Sequence, residues 1–429
     1  MGKIELTYVK SFKGEFSPPP DKSISHRAVI FSSLSEGRSI IRNFLKADDP
    51  RSTIQAFRAL GIAIEEKHND ILIEGRGLYG LSEPADVIDC GNSGTTIRLL
   101  SGVLAGSRFF SVLNGDYSLR IRPMRRVIDP LTQMGAEIRG RDGNKYPPLA
   151  IAGKRLHPIQ YTLPVASAQV KSALLLAGLY TEGETELVEP SRSRDHTERM
   201  LPSFGAHVKT DGLNIRIRGG TTLKGRELTV PGDFSSAAFF LVGALLIGNS
   251  DITMYGVGVN PTRTGLLDIL DAMGAEIEMQ NLRTVSGEPV ADIHCTGIQN
   301  LRATDITKEQ IPSLIDEFPI LCVAAARAEG TTTIRGAEEL RVKESDRIRS
   351  MAAELGKLGV HVEEFSDGLS IQGISSLKGA ELESHSDHRI AMALSIAALI
   401  ADGSTTIHGI SSVNISFPGF FDLLRKLTA

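Results

Sequence analysis

Asp89-Cys90-Gly91-Asn92-Ser93-Gly94-Thr95-Thr96-Ile97-Arg98-Leu99-Leu100-Ser101-Gly102 carries a polar, glycine-bearing turn straight into an apolar helix pattern. Small residues at such a turn let an anion approach backbone N–H groups at the positive end of a helix. The continuation through Ile97, Leu99, Leu100, Val103 and Leu104 is too densely apolar for an exposed helix and predicts one buried on most sides. Gly and Ser also cap buried helices that bind nothing, so this stretch alone leaves both readings open. Repetition gives it weight.

Five further segments share the pattern of a small or polar start, an apolar run and a closing Gly: Lys22 to Gly37, Ser167 to Gly183, Ser235 to Gly248, Leu314 to Gly330 and Asp387 to Gly403. A short β-type phrase follows each, such as Thr331 to Arg335 or Ser404 to His408, and then an amphipathic helix pattern. Five of these second helices stop at Gly61, Gly135, Gly205, Gly274 and Gly359, where a left-handed C-terminal residue is expected. Strands are predicted over Ala136 to Arg139, His207 to Thr210 and Val360 to Phe365, with Asp142-Gly143, Asp211-Gly212 and Asp367-Gly368 as turns into returning strands. The repeating unit is therefore strand, buried helix, strand, outer helix and β-hairpin, with a period of about 70 residues.

The sixth unit ends at its outer helix, Phe420 to Leu427, without closing strands. Ile4 to Val9 and Gly14 to Ser17 read as the missing hairpin, which places both termini in one domain. Pro18-Pro19-Pro20-Asp21 and Val230-Pro231-Gly232-Asp233 are the natural cuts. Domain one is then 1–20 plus 231–429, and domain two is 21–230. Two crossings between domains favour a hinge with a ligand-binding cleft. A solenoid scaffold would also produce repeats, but it needs no charged residues at helix starts.

Composition bounds the function. The 429 residues are 41% hydrophobic, and 47 Lys plus Arg against 51 Asp plus Glu leave a net charge of -4. That balance argues against a nucleic-acid surface and confines any basic site to a local patch. Cys90, Cys295 and Cys322 lack metal-ligand or disulfide spacing, and no signal-peptide core or membrane span is visible, so a cytoplasmic protein is expected.

The charged residues collect at helix starts. Asp21-Lys22-Ser23-Ile24-Ser25-His26-Arg27 sets Lys22, Ser23 and Arg27 within about one turn, which suits a phosphate as well as a capped, solvated start. Asp116 to Arg126 holds Arg120, Arg122, Arg125 and Arg126; the first two precede the helix and are expected to reach the cleft, the others to face solvent. Ser167-Ala168-Gln169 and Arg192-Ser193-Arg194-Asp195-His196 suit hydrogen bonding to a polyol. Leu314-Ile315-Asp316-Glu317-Phe318-Pro319 and Arg341-Val342-Lys343-Glu344-Ser345-Asp346-Arg347 supply carboxylates among cations, the pairing that acid–base work requires, although for Glu344 alone a helix-start charge cluster is the plainer reading. Ser386-Asp387-His388-Arg389 opens the last buried helix. Gly75-Arg76-Gly77-Leu78-Tyr79-Gly80 leads into no helix and is rejected as a dinucleotide site, and His385, Asp387 and His388 read as a solvated cap instead of a metal site.

Taken together, PDKSISHR, GNSGTTIRLLSG, GDYSLRIRP, ASAQVKSALLLAG, RVKESDRI and SDHRIAMAL resemble, in order and spacing, the 5-enolpyruvylshikimate-3-phosphate synthase family of enolpyruvyl transferases, over nearly the whole chain. The resemblance implies an α/β fold of two inside-out barrel domains, each of three βαβαββ units. It implies shikimate 3-phosphate held by Lys22, Ser23, Arg27, Ser167, Gln169, Arg194, Asp316 and Lys343, and phosphoenolpyruvate held by Lys22, Gly94, Arg122, Gln169, Arg347 and Arg389. Asp316 would be the base at the 5-hydroxyl, and Glu344, with Lys22, would exchange the C3 proton. No metal or cofactor is implied, nor any nucleic-acid or membrane partner, and the enzyme is expected to be a monomer. Three positions depart from the commonest family pattern. Val413 to Pro418 lacks a lysine, Ala168 replaces a serine, and Leu99 replaces a proline. The nearest rival, UDP-N-acetylglucosamine enolpyruvyl transferase, usually carries a cysteine in the loop matching Gly115 to Pro123, and this loop has none. A non-catalytic repeat scaffold is the rival of another class.

Overall fold

The quoted stretch forms a helix over Gly94–Ala105, capped by Ser93, whose hydroxyl accepts from the Thr96 amide at 3.1 Å. In this computed structural model, which describes residues 2–297 and 300–429, the same device recurs. Asp21 caps Lys22–Ser33, Ser167 caps Ala168–Gly178, Asp233 caps Phe234–Leu246 and Asp387 caps His388–Leu399. Gly94–Ala105, Phe234–Leu246 and His388–Leu399 are mostly apolar because they are enclosed on nearly all sides, whereas Lys22–Ser33 buries Ser25, His26, Arg27, Ser32 and Ser33 along with its apolar residues. Every residue of His388–Leu399 is buried, and every residue of Phe234–Leu246 except Leu246.

The fifth repeat departs from the expected helix over Leu314 to Gly330. Ile311–Leu314 is one short helix and Phe318–Arg327 another, with no side-chain cap on the second. Pro319 fits only the first turn of a helix, so the helix restarts at Phe318 and leaves Asp316 and Glu317 at its mouth.

The chain divides into two compact units. Domain one comprises Met1–Pro19, Gly232–Arg283 and Pro289–Ala429; domain two comprises Pro20–Pro231 and Thr284–Glu288. The last segment differs from the expected pair of cuts. Ser286 accepts from the Thr229 amide at 2.8 Å, and Glu288 is buried against His196 at 2.8 Å, contacts that tie this short stretch to domain two.

Among the described residues, the first five repeats build four-stranded sheets of one plan and the sixth keeps three of those strands. In repeat two, Phe110–Asn114 lies parallel to Ile88–Asp89 and antiparallel to Tyr146–Ala152, which pairs in turn with Glu137–Gly140. Domain two closes on itself because Glu227–Thr229, from the end of repeat three, lies parallel to Glu36–Arg42 of repeat one. Domain one closes in the same way through the N-terminus. Lys3–Thr7 pairs antiparallel with Ser404–His408 of repeat six, while Phe12–Phe16 lies parallel to Ser250–Gly258 of repeat four. The expected N-terminal hairpin is therefore two strands in two sheets. Backbone groups left open at two separate sheet edges outcompete local pairing.

The five predicted left-handed glycines hold, with φ of 85°, 96°, 100°, 87° and 92° at Gly61, Gly135, Gly205, Gly274 and Gly359. Gly368 behaves differently from its reading as a turn residue. The register pairs Phe365 with Gly368, so Ser366 and Asp367 make the turn and Gly368 opens a strand where a Cβ would lie 1.8 Å from the Ile334 carbonyl oxygen. Among the described residues no helix is long and apolar enough to cross a membrane.

The buried helices Gly94–Ala105 and Ala168–Gly178 pack together, and a Cβ on Gly102 would stand 2.1 Å from the Ala173 carbonyl oxygen. Gly102→Ala is expected to force these backbones apart and destabilise the protein by about 1–3 kcal/mol. Urea unfolding checks this, and an unchanged midpoint contradicts the packing.

Candidate active site

In domain two the helix that opens at Gly94 ends its first turn in cations. A Cβ at Gly94 would lie 3.3 Å from the terminal nitrogens of both Arg98 and Arg122, so the glycine makes the room in which two guanidinium groups converge on a helix N-terminus. Arg122 is held by the Asn92 side-chain oxygen at 2.6 Å and by Ser118 at 3.2 Å. Arg98 donates to the Gln169 side-chain oxygen, and Gln169 donates to Thr95 at 3.0 Å. Gly94, Arg98, Arg122 and Gln169 thus form one polar cradle from three segments of domain two. Such converging donors suit a phosphate or carboxylate.

Lys22 pairs with Asp49 at 3.1 Å. Arg27 is buried and its guanidinium donates to Thr197 and Ser172 at 2.7 Å each and to the Ser23 carbonyl at 3.0 Å. Burial pulls Arg27 down to about 10 despite Glu198 and Asp21 nearby. His26, behind these cations, bonds Thr53 at 2.7 Å and continues through Thr96 to Ser93. Burial, then Lys22, then Arg27 hold the His26 imidazole well below its ordinary range. Ser167 and Arg194 stand at the third buried helix start and in the loop before His196–Met200.

Domain one concentrates carboxylates and guanidinium groups at its helix mouths. Arg347 is buried, with Nε 2.8 Å from Asp387, one terminal nitrogen 2.8 Å from Glu344, and the other 3.4 Å from Asp316. Burial works against its charge, but Asp387, Glu344 and Asp316 together drive its pKa above the ordinary arginine range. Asp316 also faces Arg389 at 3.2 Å and Arg263 at 3.9 Å. Arg263 in turn bonds Asp233 at 2.7 Å and Ser235 at 2.8 Å, and Ser235 donates to Glu317. Lys343 is half-buried at the end of the short turn Glu338–Val342.

Within domain two the structure brings together Gly94, Arg122 and Gln169; within domain one it brings together Asp316, Glu344, Arg347 and Arg389. Arg120, expected to reach a cleft, is exposed and bonded to its own turn through the Asp116 carbonyl. Asp387 and His388 are buried, correcting their reading as a solvated cap, and His385 bonds Glu354 at 2.8 Å. Sequence reasoning gave no role to Asp49, Arg98 or Arg263. Arg98 carries a usable signal, since it follows Gly94 by one helical turn on the same face. Asp49 and Arg263 carry none, because their partners come from other segments.

Residues 6–424 match the family EPSP synthase (3-phosphoshikimate 1-carboxyvinyltransferase). The chain belongs to this family. It is 55% identical over 415 residues to the 3-phosphoshikimate 1-carboxyvinyltransferase of Geobacter sp. (strain M21), covering 97% of this chain and 96% of that protein. The enzyme of the same name from Thermodesulfovibrio yellowstonii is 53% identical over 420 residues, covering 97% and 98%. Among solved structures, EPSP synthase from Acinetobacter baumannii superposes with a TM-score of 0.88 at 48% identity, covering 99% of this chain and 98% of that one. The enolpyruvyl transferase NikO from Streptomyces tendae shares the fold, with a TM-score of 0.79 at 19% identity, covering 99% of this chain and 96% of that one. Membership of the family makes this chain a transferase.

Two outcomes follow from the buried charges. Arg347→Met removes the buried cation shared by Asp387, Glu344 and Asp316 and is expected to cost about 3–5 kcal/mol in urea unfolding. His26 stays neutral in the folded protein, while the unfolded chain takes up a proton as pH falls through about 6.5. Stability contributed by this group is therefore present above that pH and declines below it. Unfolding midpoints measured between about pH 7 and pH 5 should fall more steeply for the wild type than for His26→Gln, and parallel curves would contradict the assignment.

Proposed function

We propose that this enzyme transfers the enolpyruvyl group of phosphoenolpyruvate to the 5-hydroxyl of shikimate 3-phosphate and releases phosphate. The observation that carries the reading is Asp316, a carboxylate set among Arg347, Arg389 and Arg263, with Glu344 on the same Arg347. Guanidinium neighbours keep a carboxylate ionised, the state a base must have before it takes a proton.

In the reaction so assigned, Asp316 accepts the proton of the 5-hydroxyl as its oxygen bonds to C2 of phosphoenolpyruvate. The Glu344–Lys22 pair delivers a proton to C3, with the Lys22 ammonium as its source, giving a tetrahedral intermediate. The same pair then removes a C3 proton, the double bond reforms and phosphate departs from C2. The guanidinium groups of Arg122, Arg347 and Arg389 stabilise the leaving phosphate without any change of their own protonation. Lys22, Gly94, Arg122, Gln169, Arg347 and Arg389 are assigned to phosphoenolpyruvate. Lys22, Ser23, Arg27, Ser167, Gln169, Arg194, Asp316 and Lys343 are assigned to shikimate 3-phosphate. Arg27 suits this role because a guanidinium carries more donors than its bonds to Thr197, Ser172 and Ser23 use. The enzyme is assigned to the cytoplasm and to action as a monomer.

Purified protein is expected to release phosphate from phosphoenolpyruvate only when shikimate 3-phosphate is present. Release with UDP-N-acetylglucosamine in its place, or with neither acceptor, overturns the reading. Asp316→Asn and Glu344→Gln are each expected to slow turnover at least about 100-fold while shikimate 3-phosphate still binds. Near-normal rates would refute those two roles.

A further inference from the structure

Beneath the third buried helix start lies a charged cluster that the proposed chemistry does not use. Lys171 is 1% exposed, and its ammonium lies 2.7 Å from Glu189 and 2.7 Å from Glu198, themselves 2% and 6% exposed. The ammonium also donates to the Ser193 carbonyl at 3.4 Å, and the Ser193 hydroxyl donates to Glu189. Burial pushes the Glu198 carboxyl up from its ordinary range, with Lys171 opposing that shift.

Three features of this cluster point beyond plain stability. Lys171 is on the same helix as Gln169, two residues further in, with Ser167 as the cap. Glu189 and Ser193 bracket the loop that ends in Arg194, and both are fastened to Lys171. Glu198 lies in the helix His196–Met200 next to Thr197, which binds both Arg27 and Ser172. One buried ammonium therefore ties together the helix start and the loop that carry Ser167, Gln169 and Arg194, and acts through Thr197 on Arg27. An apolar side chain of like size would fill the same space without fixing the direction of the loop.

We propose that Lys171 is a positioning residue for the shikimate 3-phosphate subsite, setting the Ser193–Arg194 loop through Glu189 and Glu198. This rests on the assignment of Arg27, Ser167, Gln169 and Arg194 to that substrate.

The test measures direct binding of shikimate 3-phosphate by titration calorimetry and the KM of each substrate, on the full chain. Lys171→Met is expected to weaken shikimate 3-phosphate binding at least about tenfold, while the KM for phosphoenolpyruvate, of whose assigned residues this tie reaches only Gln169, rises by at most about threefold. Lys171→Arg, which keeps the charge, should recover most of the binding. Ser193→Ala removes one tie without stranding a charge, and should shift binding in the same direction by about threefold even where Lys171→Met does not fold. Equal changes for both substrates, unchanged binding in Lys171→Met, or, where that variant does not fold, unchanged binding in Ser193→Ala would overturn the proposal. A wild-type protein that fails to bind shikimate 3-phosphate would instead refute the underlying functional assignment.

Discussion

A helix enclosed by protein has to satisfy the amide groups of its first turn without help from solvent. That constraint governs this molecule: among the described residues the repeats bury six helices, and five of them open on an Asp or Ser cap. A buried cap that carries charge calls for a counter-charge. Asp387 receives Arg347, and Asp233 receives Arg263. The polar mouths of apolar helices are thus required by folding before any ligand is considered, and they already hold the groups that anion chemistry uses.

The two domains answer the constraint differently. Domain two has one acidic cap, Asp21, and two neutral ones, Ser93 and Ser167, and the cations near the neutral pair, Arg98 and Arg122, are held by amide and hydroxyl oxygens. In domain one the caps Asp233 and Asp387 are acidic, and the arginines are held by carboxylates. The first arrangement leaves cations facing neutral oxygens, which suits holding an anion; the second sets carboxylates in ion pairs with buried cations. The fifth repeat, which has no side-chain cap, places Asp316 and Glu317 at its helix mouth because Pro319 delays the start of the helix. A local rule of backbone geometry puts the proposed base where it stands.

The period of about 70 residues and the alternation of enclosed and amphipathic helices were legible in the chain because they follow from local rules of patterning, capping and glycine geometry. Gly61, Gly135, Gly205, Gly274 and Gly359 needed only their own φ to be read correctly. Gly368 was misread because its reason is a neighbouring strand's carbonyl oxygen, which no local pattern announces. The N-terminal strands were misread for a related reason. Their partners, Ser404–His408 and Ser250–Gly258, are set by which sheet edges remain open.

What the sequence determined by itself was therefore the repeat, the polar character of each helix mouth and the family to which those phrases belong. Only the tertiary structure decided which charges meet. Lys22 with Asp49, Arg263 with Asp233, and Lys171 between Glu189 and Glu198 join residues from separate segments, and pairing between buried charges depends on distance in space and burial. Those quantities come into being only when the chain has closed on itself.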